Sequence, residues 1–261
     1  MMTARPWSCT DRAGRGPGLC LLRATGLHKH FAARHALRGI DLQVNAGEAV
    51  GLIGPNGSGK STLMSIVSGV LRPDAGEVQL GAHGPPSSGR VRRLLGIAPQ
   101  LTAIYSGLSA EQNLAFFGRL YGLSGRRLRA RVDRSLQFVG LADRRADAAG
   151  TLSVGMQRRL NLACAIVHEP QLLLLDEPTV GVDPLSRQQL LRNIRQLRNE
   201  GHGILYATHH MDEAEQLCDR LVVIRAGTVV AEGSAAELVS AHHGADLEET
   251  FLQLTESTVE L

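Results

Sequence analysis

The glycine-rich run at residues 54–62 constrains this chain more than any other part of its sequence. It reads, in order, Gly54, Pro55, Asn56, Gly57, Ser58, Gly59, Lys60, Ser61 and Thr62. Residues 54–61 match the P-loop pattern G-x-x-x-x-G-K-[ST], with a predicted strand before them and a helical pattern after them. Such glycines let backbone N–H groups turn inward around phosphate oxygens, and the helix N-terminus adds partial positive charge. The run therefore predicts a site for the phosphates of a nucleoside triphosphate.

Two side chains of the P-loop predict specific contacts. Lys60 is expected to reach the β- and γ-phosphates, and Ser61 is expected to hold Mg²⁺. The alternative is a glycine-rich connector that binds no ligand. The strand and helix patterns on its two sides argue against this alternative.

The composition limits the domain number and excludes little else. The 261 residues are 43% hydrophobic, which is enough for the core of one or two modest domains. The net charge of +3 and the pI near 8.9 are too weakly basic to indicate nucleic-acid binding by themselves. No apolar run approaches the roughly 18 residues of a membrane span, so we expect another polypeptide to make any membrane crossing.

The cysteines and the first residues give two further expectations. Cys9, Cys20, Cys164 and Cys218 lack C-x-x-C spacing, and the last two fall in helical patterns. Cys164 and Cys218 are therefore predicted to be buried, reduced thiols of a cytosolic protein. Residues 1–20 are rich in Arg, Gly, Pro and Thr without periodicity, and they predict a disordered tail.

Short apolar segments predict strands both before and after the P-loop. These lie at residues 21–31, 36–44, 48–53, 76–80, 94–98, 171–175, 204–207, 221–224 and 228–231. Phe31 ends the first of them, ahead of the P-loop. Its ring is either a surface on which a purine base stacks or an ordinary core residue.

The segment from residue 101 to 168 is mostly helical in pattern. Ser109 and Gln112 have the spacing of a capping box and open one predicted helix. A second apolar stripe, with helical steps, runs through Leu128, Val132, Leu136 and Val139. The arginines at 126, 127, 129, 131 and 134 of that helix predict a solvated face, with a surface facing acidic groups or lipid headgroups as the alternative.

Two adjacent acids follow the most apolar predicted strand. Asp176 and Glu177 come at the carboxyl end of this strand, where ligands bind in open α/β folds. Asp176 is expected to support Mg²⁺, and Glu177 to polarise an attacking water. A helix cap or surface charge is the alternative, but it leaves the P-loop without a metal partner. Asp183 followed by Pro184 then predicts the start of a helix, and the 204–207 strand ends next to His209.

One further motif identifies a family. Residues 152–159 read Leu-Ser-Val-Gly-Met-Gln-Arg-Arg and resemble the ABC signature L-S-G-G-x-Q, upstream of the two acids as that family requires. Over residues 21–254 the chain resembles the ATP-binding subunit of an ABC transporter. Val154 departs from the family pattern, which usually has glycine there. Residues 111–123 and 247–254 resemble, more loosely, the exporter ATPases of the daunorubicin-resistance type.

The resemblance implies roles for particular residues. Phe31 falls at the adenine-stacking position and Gln100 at the Q-loop, which touches Mg²⁺ or the lytic water and senses the membrane partner. His209 falls at the switch histidine that contacts the γ-phosphate. Asp183 falls in the D-loop, which bridges two subunits. Ser153 and Gly155 are implied to reach the ATP of the opposite subunit, so one chain is not expected to complete its own site.

The family implies an α/β fold: a RecA-like P-loop NTPase core with an antiparallel β subdomain and a helical subdomain. We expect an ATPase domain at residues 21–240, its helical subdomain at about 101–165, and a C-terminal helical extension at 241–261. The expected function is ATP hydrolysis, with ATP and Mg²⁺ as cofactors. It is expected to power a separate multi-span permease, and the resemblance to the daunorubicin-resistance type implies that this permease is an exporter.

The expected partners are that permease and a second ABC ATPase subunit, identical or paralogous, with no nucleic acid. The expected location is the cytoplasm, on the inner face of the cell membrane. A soluble ABC ATPase acting on ribosomes or DNA is the alternative, although the chain has one cassette and lacks room for a long coiled coil between Gln100 and Ser153. A GTPase or kinase does not account for the signature, and no N-K-x-D motif is present.

Overall fold

The computed structural model describes residues 18–32 and 34–256. Most of the tail predicted at residues 1–20, with Cys9, lies outside the described residues. So do residues 257–261 of the predicted C-terminal extension.

The described residues form strands at all the predicted places. The strands are β1 (Cys20–Phe31), β2 (Arg34–Asn45), β3 (Ala49–Ile53), β4 (Ala75–Gln79), β5 (Leu95–Ala98), β6 (Leu172–Asp176), β7 (Gly203–Ala207), β8 (Arg220–Arg225) and β9 (Thr228–Gly233). The helices are α1 (Lys60–Val67), α2 (Gly89–Arg92), α3 (Ala110–Leu120), α4 (Gly125–Phe138), α5 (Val154–Ile166), α6 (Pro184–Asn199), α7 (Met211–Leu217), α8 (Ala235–His242) and α9 (Leu247–Glu256).

Two sheets organise these elements. An antiparallel sheet has the order β2-β1-β4, and a six-stranded sheet has the order β5-β6-β7-β3-β8-β9, parallel except for β9. Every residue of β3 and β7 is buried, because both faces of the parallel sheet are covered. The helix α1 and the antiparallel sheet pack on one face, and α5, α6 and α7 pack on the other. The carboxyl ends of β5, β6, β7 and β3 therefore meet at one edge, where Gln100, Glu177, His209 and the P-loop follow them.

The segment predicted as helical contains α3, α4 and α5, which share an apolar core. Leu114 of α3, Val132 and Leu136 of α4 and Leu160 of α5 belong to it and are all buried. The capping box of α3 is confirmed, since Ser109 Oγ accepts from the Gln112 backbone and Gln112 Oε1 accepts from the Ser109 backbone.

One arginine of α4 departs from the predicted solvated face. Arg126, Arg127, Arg129 and Arg134 are exposed as predicted. Arg131 is instead mostly buried and pairs with Glu169, while its Nε donates to the carbonyl oxygen of Val167 at 3.1 Å. The prediction was wrong here because periodicity does not reveal a carbonyl and an acid supplied by the turn after α5.

Three helices were not predicted, and one cysteine was assigned wrongly. The elements α2 and α7 are too short for a periodic pattern, whereas α8 carries a visible signal, the Ser234–Glu237 capping box. Cys164 lies within α5, but Cys218 follows α7 with extended backbone. Burial raises the pKa of both thiols, as expected for inert reduced cysteines.

None of the helices in residues 18–32 and 34–256 has both the length and the apolar character that a membrane span requires.

Candidate active site

The P-loop joins β3 to α1, and close contacts require its glycines. A Cβ atom at Gly59 would lie 2.7 Å from the carbonyl oxygen of Ala36 in β2, and φ there is +116°. A Cβ atom at Gly54 would lie 2.2 Å from the carbonyl oxygen of Ile224 in β8. The loop therefore packs against both strands through bare backbone, which is the form of a phosphate cradle.

Lys60 is buried inside this loop, with 7% of its surface exposed. Its Nζ donates to the carbonyl oxygens of Gly54 at 2.6 Å and Pro55 at 3.2 Å. Burial lowers the pKa of Lys60, while the negative charges of Glu177 and Asp176 act to raise it. The loop thus holds a cation within the electric field of two acids.

Glu177 contacts both of the other predicted catalytic residues, Gln100 and His209. Gln100 Nε2 donates to Oε2 of Glu177 at 3.0 Å, and His209 Nδ1 lies 3.0 Å from Oε1. The side chain of Glu177 is 12% exposed. Its backbone φ of +45° is uncommon for a residue other than glycine, and strain of this kind clusters at functional sites.

Asp176, the last residue of β6, provides a second, partly buried acid at the same edge. Burial raises the pKa of Asp176, the charge of Glu177 raises it further, and Lys60 lowers it. A bound divalent cation would stabilise the charged form of this carboxylate.

A cleft of about 750 Å³ brings most of the predicted site residues together. It is lined by Phe31, Gln100, Asp176, Glu177, His209 and every P-loop residue except Ser58. Ser58 lines a neighbouring cavity, and its Oγ is buried without a hydrogen-bond partner among the described residues. Phe31 is 48% exposed, so the interpretation as a core residue is wrong.

Three residues near the cleft were not predicted. Arg34 lines it and donates to the carbonyl oxygen of Gly57, and Phe251 of α9 lines it as well. Arg158, within the signature motif, donates to the carbonyl oxygens of Gln100 and, at 3.1 Å, Val180. No local pattern identifies such contacts, because each joins segments that are far apart in the chain.

Ser153, Gly155 and Asp183 do not line the cleft of their own chain. Ser153 caps α5, its Oγ accepting from the Met156 backbone at 3.3 Å, and Asp183 caps α6 by accepting from the Ser186 backbone at 3.0 Å. A Cβ atom at Gly155 would lie 2.5 Å from the side chain of Ser186. The start of α5, which carries the signature motif, therefore packs on the start of α6 within one subunit.

The donor set of the cleft fits ATP and Mg²⁺. The glycine-lined loop and Lys60 suit phosphate oxygens, and Phe31 offers an exposed ring face beside them. Ser61, Asp176 and Gln100 bring a hydroxyl, a carboxylate and an amide to the same cleft, and their oxygens are ligands that Mg²⁺ prefers.

Comparison with known proteins then decides the family. The family model described as ABC transporter matches residues 37–180, more than half of the chain. The chain belongs to the ABC transporter family. Its match includes the P-loop, the signature and both acids.

The similar curated proteins are ABC ATP-binding subunits. The linearmycin resistance ATP-binding protein of Bacillus subtilis is 38% identical over 92% of this chain and 76% of its own length. The daunorubicin/doxorubicin resistance ATP-binding protein of Streptomyces peucetius is 42% identical over 84% and 67%. The Nod factor export ATP-binding protein I of Burkholderia lata is 40% identical over 86% and 74%. The predicted resemblance to the daunorubicin-resistance type is confirmed.

Solved structures of ABC subunits share the fold. An ATP-binding subunit of an ABC transporter superposes with a TM-score of 0.81 at 31% identity, covering 90% of this chain and 99% of that one. The protein cbiO1 of Clostridium perfringens, part of the ABC transporter complex cbiONQ, gives 0.76 at 30% identity over 85% and 91%. The predicted fold class is confirmed, and this ABC subunit is an ATP-binding ATPase.

Proposed function

We propose that this ABC subunit hydrolyses ATP to ADP and phosphate to drive a separate membrane-spanning permease that exports its substrate. The observation that carries the proposed chemistry is the meeting of Gln100 and His209 on Glu177 beside the P-loop. Support for export comes from relatives whose names describe linearmycin resistance, daunorubicin resistance and Nod factor export.

The residues around Glu177 act mainly by positioning and by charge. Glu177 orients and polarises the attacking water, and Gln100 holds that carboxylate through its amide. His209 contacts the γ-phosphate, and Lys60 stabilises negative charge on the β- and γ-phosphates.

In this proposal, separate sets of residues bind the metal ion and the adenine ring. Ser61, Asp176 and Gln100 would hold Mg²⁺, which when bound supplies positive charge that neutralises the β- and γ-phosphate oxygens. Phe31 stacks on the adenine, since its half-exposed ring lines the cleft and a base face binds well to an aromatic ring.

A second ABC ATPase subunit completes the site. Ser153 and Gly155 of one subunit reach the ATP bound to the other, and Asp183 bridges the two. This accounts for three motif residues that do not line the cleft of their own chain. The backbone N–H groups at the start of α5 suit a phosphate because they carry the positive end of a helix dipole.

We further propose the domain limits given above: an ATPase domain at residues 21–240 with a helical subdomain at about 101–165, and a C-terminal extension at 241–261. The subunit works at the cytoplasmic face of the membrane, held there by its permease.

Membrane recovery tests the transport proposal against a soluble role. The full chain is expressed with and without a candidate multi-span permease, and washed membranes are assayed for the chain and for ATPase activity. We expect recovery and stimulated ATPase activity only with the permease, and no turnover with the Glu177→Gln variant. A chain that stays off membranes under both conditions and sediments with ribosomes or DNA contradicts the proposal.

A further inference from the structure

Glu213 on α7 is a completely buried acid that is not part of the cleft. Its exposed fraction is 0%, and the residues within reach of its carboxylate come from three other segments of the chain. A buried carboxylate is costly unless donors or a cation compensate it, so this arrangement requires an explanation.

One carboxylate oxygen of Glu213 accepts from three hydroxyl groups. Thr179 Oγ1 donates to Oε2 at 2.8 Å, Tyr206 OH at 2.7 Å and Thr208 Oγ1 at 3.4 Å. Burial and the neighbouring Glu213 charge raise the pKa of Tyr206 well above its ordinary value, so its hydroxyl keeps its proton and remains a donor. The three bonds tie α7 to β7 and to the segment that follows β6.

Two of these donors lie next to proposed catalytic residues. Thr179 is two positions after Glu177, and Thr208 is directly before His209. Thr208 Oγ1 also accepts from the backbone N–H of His210 at 3.0 Å, which restrains the backbone around His209. Glu213, which does not line the cleft, therefore restrains the two chain segments that carry Glu177 and His209.

The other carboxylate oxygen faces α6. Arg187 Nε lies 3.4 Å from Oε1 of Glu213, an ion-pair distance, and neither atom has a hydrogen-bond partner among the described residues. Arg187 is one helical turn after Asp183, and its neighbour Ser186 packs against Gly155. The ion pair thus connects the start of α6 to the same carboxylate.

We propose that Glu213 is a positioning residue of the ATPase reaction, one that fixes the separation of Glu177 and His209 and links both to α6. The inference rests on the proposed roles of Glu177 and His209. Glu177 has left-handed backbone, which persists only where its surroundings hold it, and the Thr179–Glu213 bond is one such restraint. Glu213 itself does not touch the nucleotide.

The first test is Glu213→Gln, which keeps the shape of the side chain and removes its charge. The amide no longer pairs with Arg187, and only its oxygen accepts from the hydroxyls. We expect kcat for ATP to fall about 10- to 100-fold, the effect of a small misplacement of catalytic groups. KM is expected to stay within about twofold, because no hydrogen bond among the described residues joins the P-loop or Phe31 to this network.

Two single-donor variants form a matched pair and also cover the case in which Glu213→Gln does not fold. Thr179→Val and Tyr206→Phe each remove one hydroxyl donor to the same oxygen. If Glu213 positions the catalytic groups, kcat should fall further in Thr179→Val, since Thr179 is only two positions after Glu177. A purely structural role predicts similar losses of thermal stability and no difference in kcat per folded molecule.

Asn113 provides a control far from the cleft. It is fully buried in the helical subdomain, where its Nδ2 donates to three carbonyl oxygens. Asn113→Leu is expected to lower the melting temperature and to leave kcat per folded molecule unchanged. If Asn113→Leu lowers kcat as much as Glu213→Gln does, positioning by Glu213 is rejected.

Glu177→Gln and His209→Ala, measured in the same assay, distinguish a failure of the proposed catalytic roles from a failure of the Glu213 inference alone. If both are inactive and Glu213→Gln has the wild-type kcat, only the Glu213 inference is overturned. If either retains wild-type turnover, the proposed catalytic roles fail, and the Glu213 inference fails with them.

Discussion

The Nδ1 atom of His209 lies 3.0 Å from Oε1 of Glu177, although the two residues are 32 positions apart in the chain. They follow adjacent parallel strands, and the register that pairs Asp176 with Ala207 brings them level. The backbone N–H of Glu177 donates to the carbonyl oxygen of Ala207 at 2.9 Å, extending that register by one residue. The proposed catalytic arrangement therefore depends on sheet geometry as well as on side-chain identity.

Glu177→Gln should leave ATP binding intact and nearly stop turnover. The amide keeps the size of the side chain and still accepts from Gln100, but it lacks the charge that polarises water. We expect an ATP-bound dimer to accumulate, measurable by gel filtration with ATP. Glu215→Gln, on the exposed face of α7, is the control and should turn over normally. Wild-type turnover in Glu177→Gln would remove Glu177 from the mechanism.

Lys60→Ala should weaken ATP binding and abolish hydrolysis without unfolding the protein. The substitution removes a buried cation. Within residues 18–32 and 34–256, its ammonium group donates only to the carbonyl oxygens of Gly54 and Pro55, so we expect the sheet to stay intact. Nucleotide titration and a thermal melt measure the two effects separately. A variant that hydrolyses ATP near the normal rate would show that the P-loop interpretation is wrong.

Phe31→Ala should raise the dissociation constant for ATP, and Phe31→Tyr should change it little. Stacking on a base is worth ~1–3 kcal/mol by alanine substitution in nucleic-acid binders, or about 5- to 150-fold in affinity. Since any purine offers a similar face, we expect weak discrimination between ATP and GTP. Unchanged affinity in the alanine variant would exclude Phe31 as the adenine platform.

Val154→Gly should alter turnover by less than about tenfold, or ~1.4 kcal/mol on the barrier. The side chain of Val154 is 53% exposed, and backbone donors at the start of α5 do not depend on it. ATPase assays of both proteins measure this. A large gain in the glycine variant would show that the signature of this chain is impaired and that a different subunit supplies the competent site.

Gly155→Ala should abolish turnover for two separable reasons. Its Cβ would clash with Ser186 inside the same subunit. In the proposed dimer it would also approach the ATP of the partner subunit. We expect the double variant Gly155→Ala with Ser186→Gly to recover the melting temperature but not the ATPase activity. Full recovery of activity would mean that Gly155 is needed only for packing against α6.

Asp74→Asn should lower stability at neutral pH, and the difference should disappear in acid. Asp74 accepts from Lys29 Nζ at 2.7 Å and from the His30 backbone at 2.6 Å, and these bonds hold its pKa at about 2. Because this value is below the unfolded one, the carboxylate stabilises the fold above about pH 4, and its contribution is lost as the pH falls toward 2. Melting temperatures at pH 7 and pH 2 measure this, because at pH 3 the folded carboxylate is still mostly charged and part of the contribution remains. Asp143→Asn, an exposed carboxylate, is the control, and an equal effect at both pH values would contradict the prediction.

The elements that sequence reasoning missed share a physical cause. The short helices α2 and α7 contain too few residues for a periodic pattern, and Arg131 is buried by a partner 38 positions away, Glu169. The packing of Gly155 on Ser186 was not predicted either, because it arises only when α5 and α6 meet. Propensity and periodicity describe residues that are neighbours along the chain, and they do not describe residues that become neighbours only when the chain folds.

The sequence by itself determined the P-loop pattern, the two acids after a buried strand, the capping residues and the family, because each of these depends on residues within one turn or one strand end. Only the tertiary structure decided that Gln100 and His209 converge on Glu177, that Arg158 ties the signature to Gln100, and that Glu213 joins four segments around one buried carboxylate. These contacts depend on strand order and register. Both are set by how the whole sheet packs against its helices.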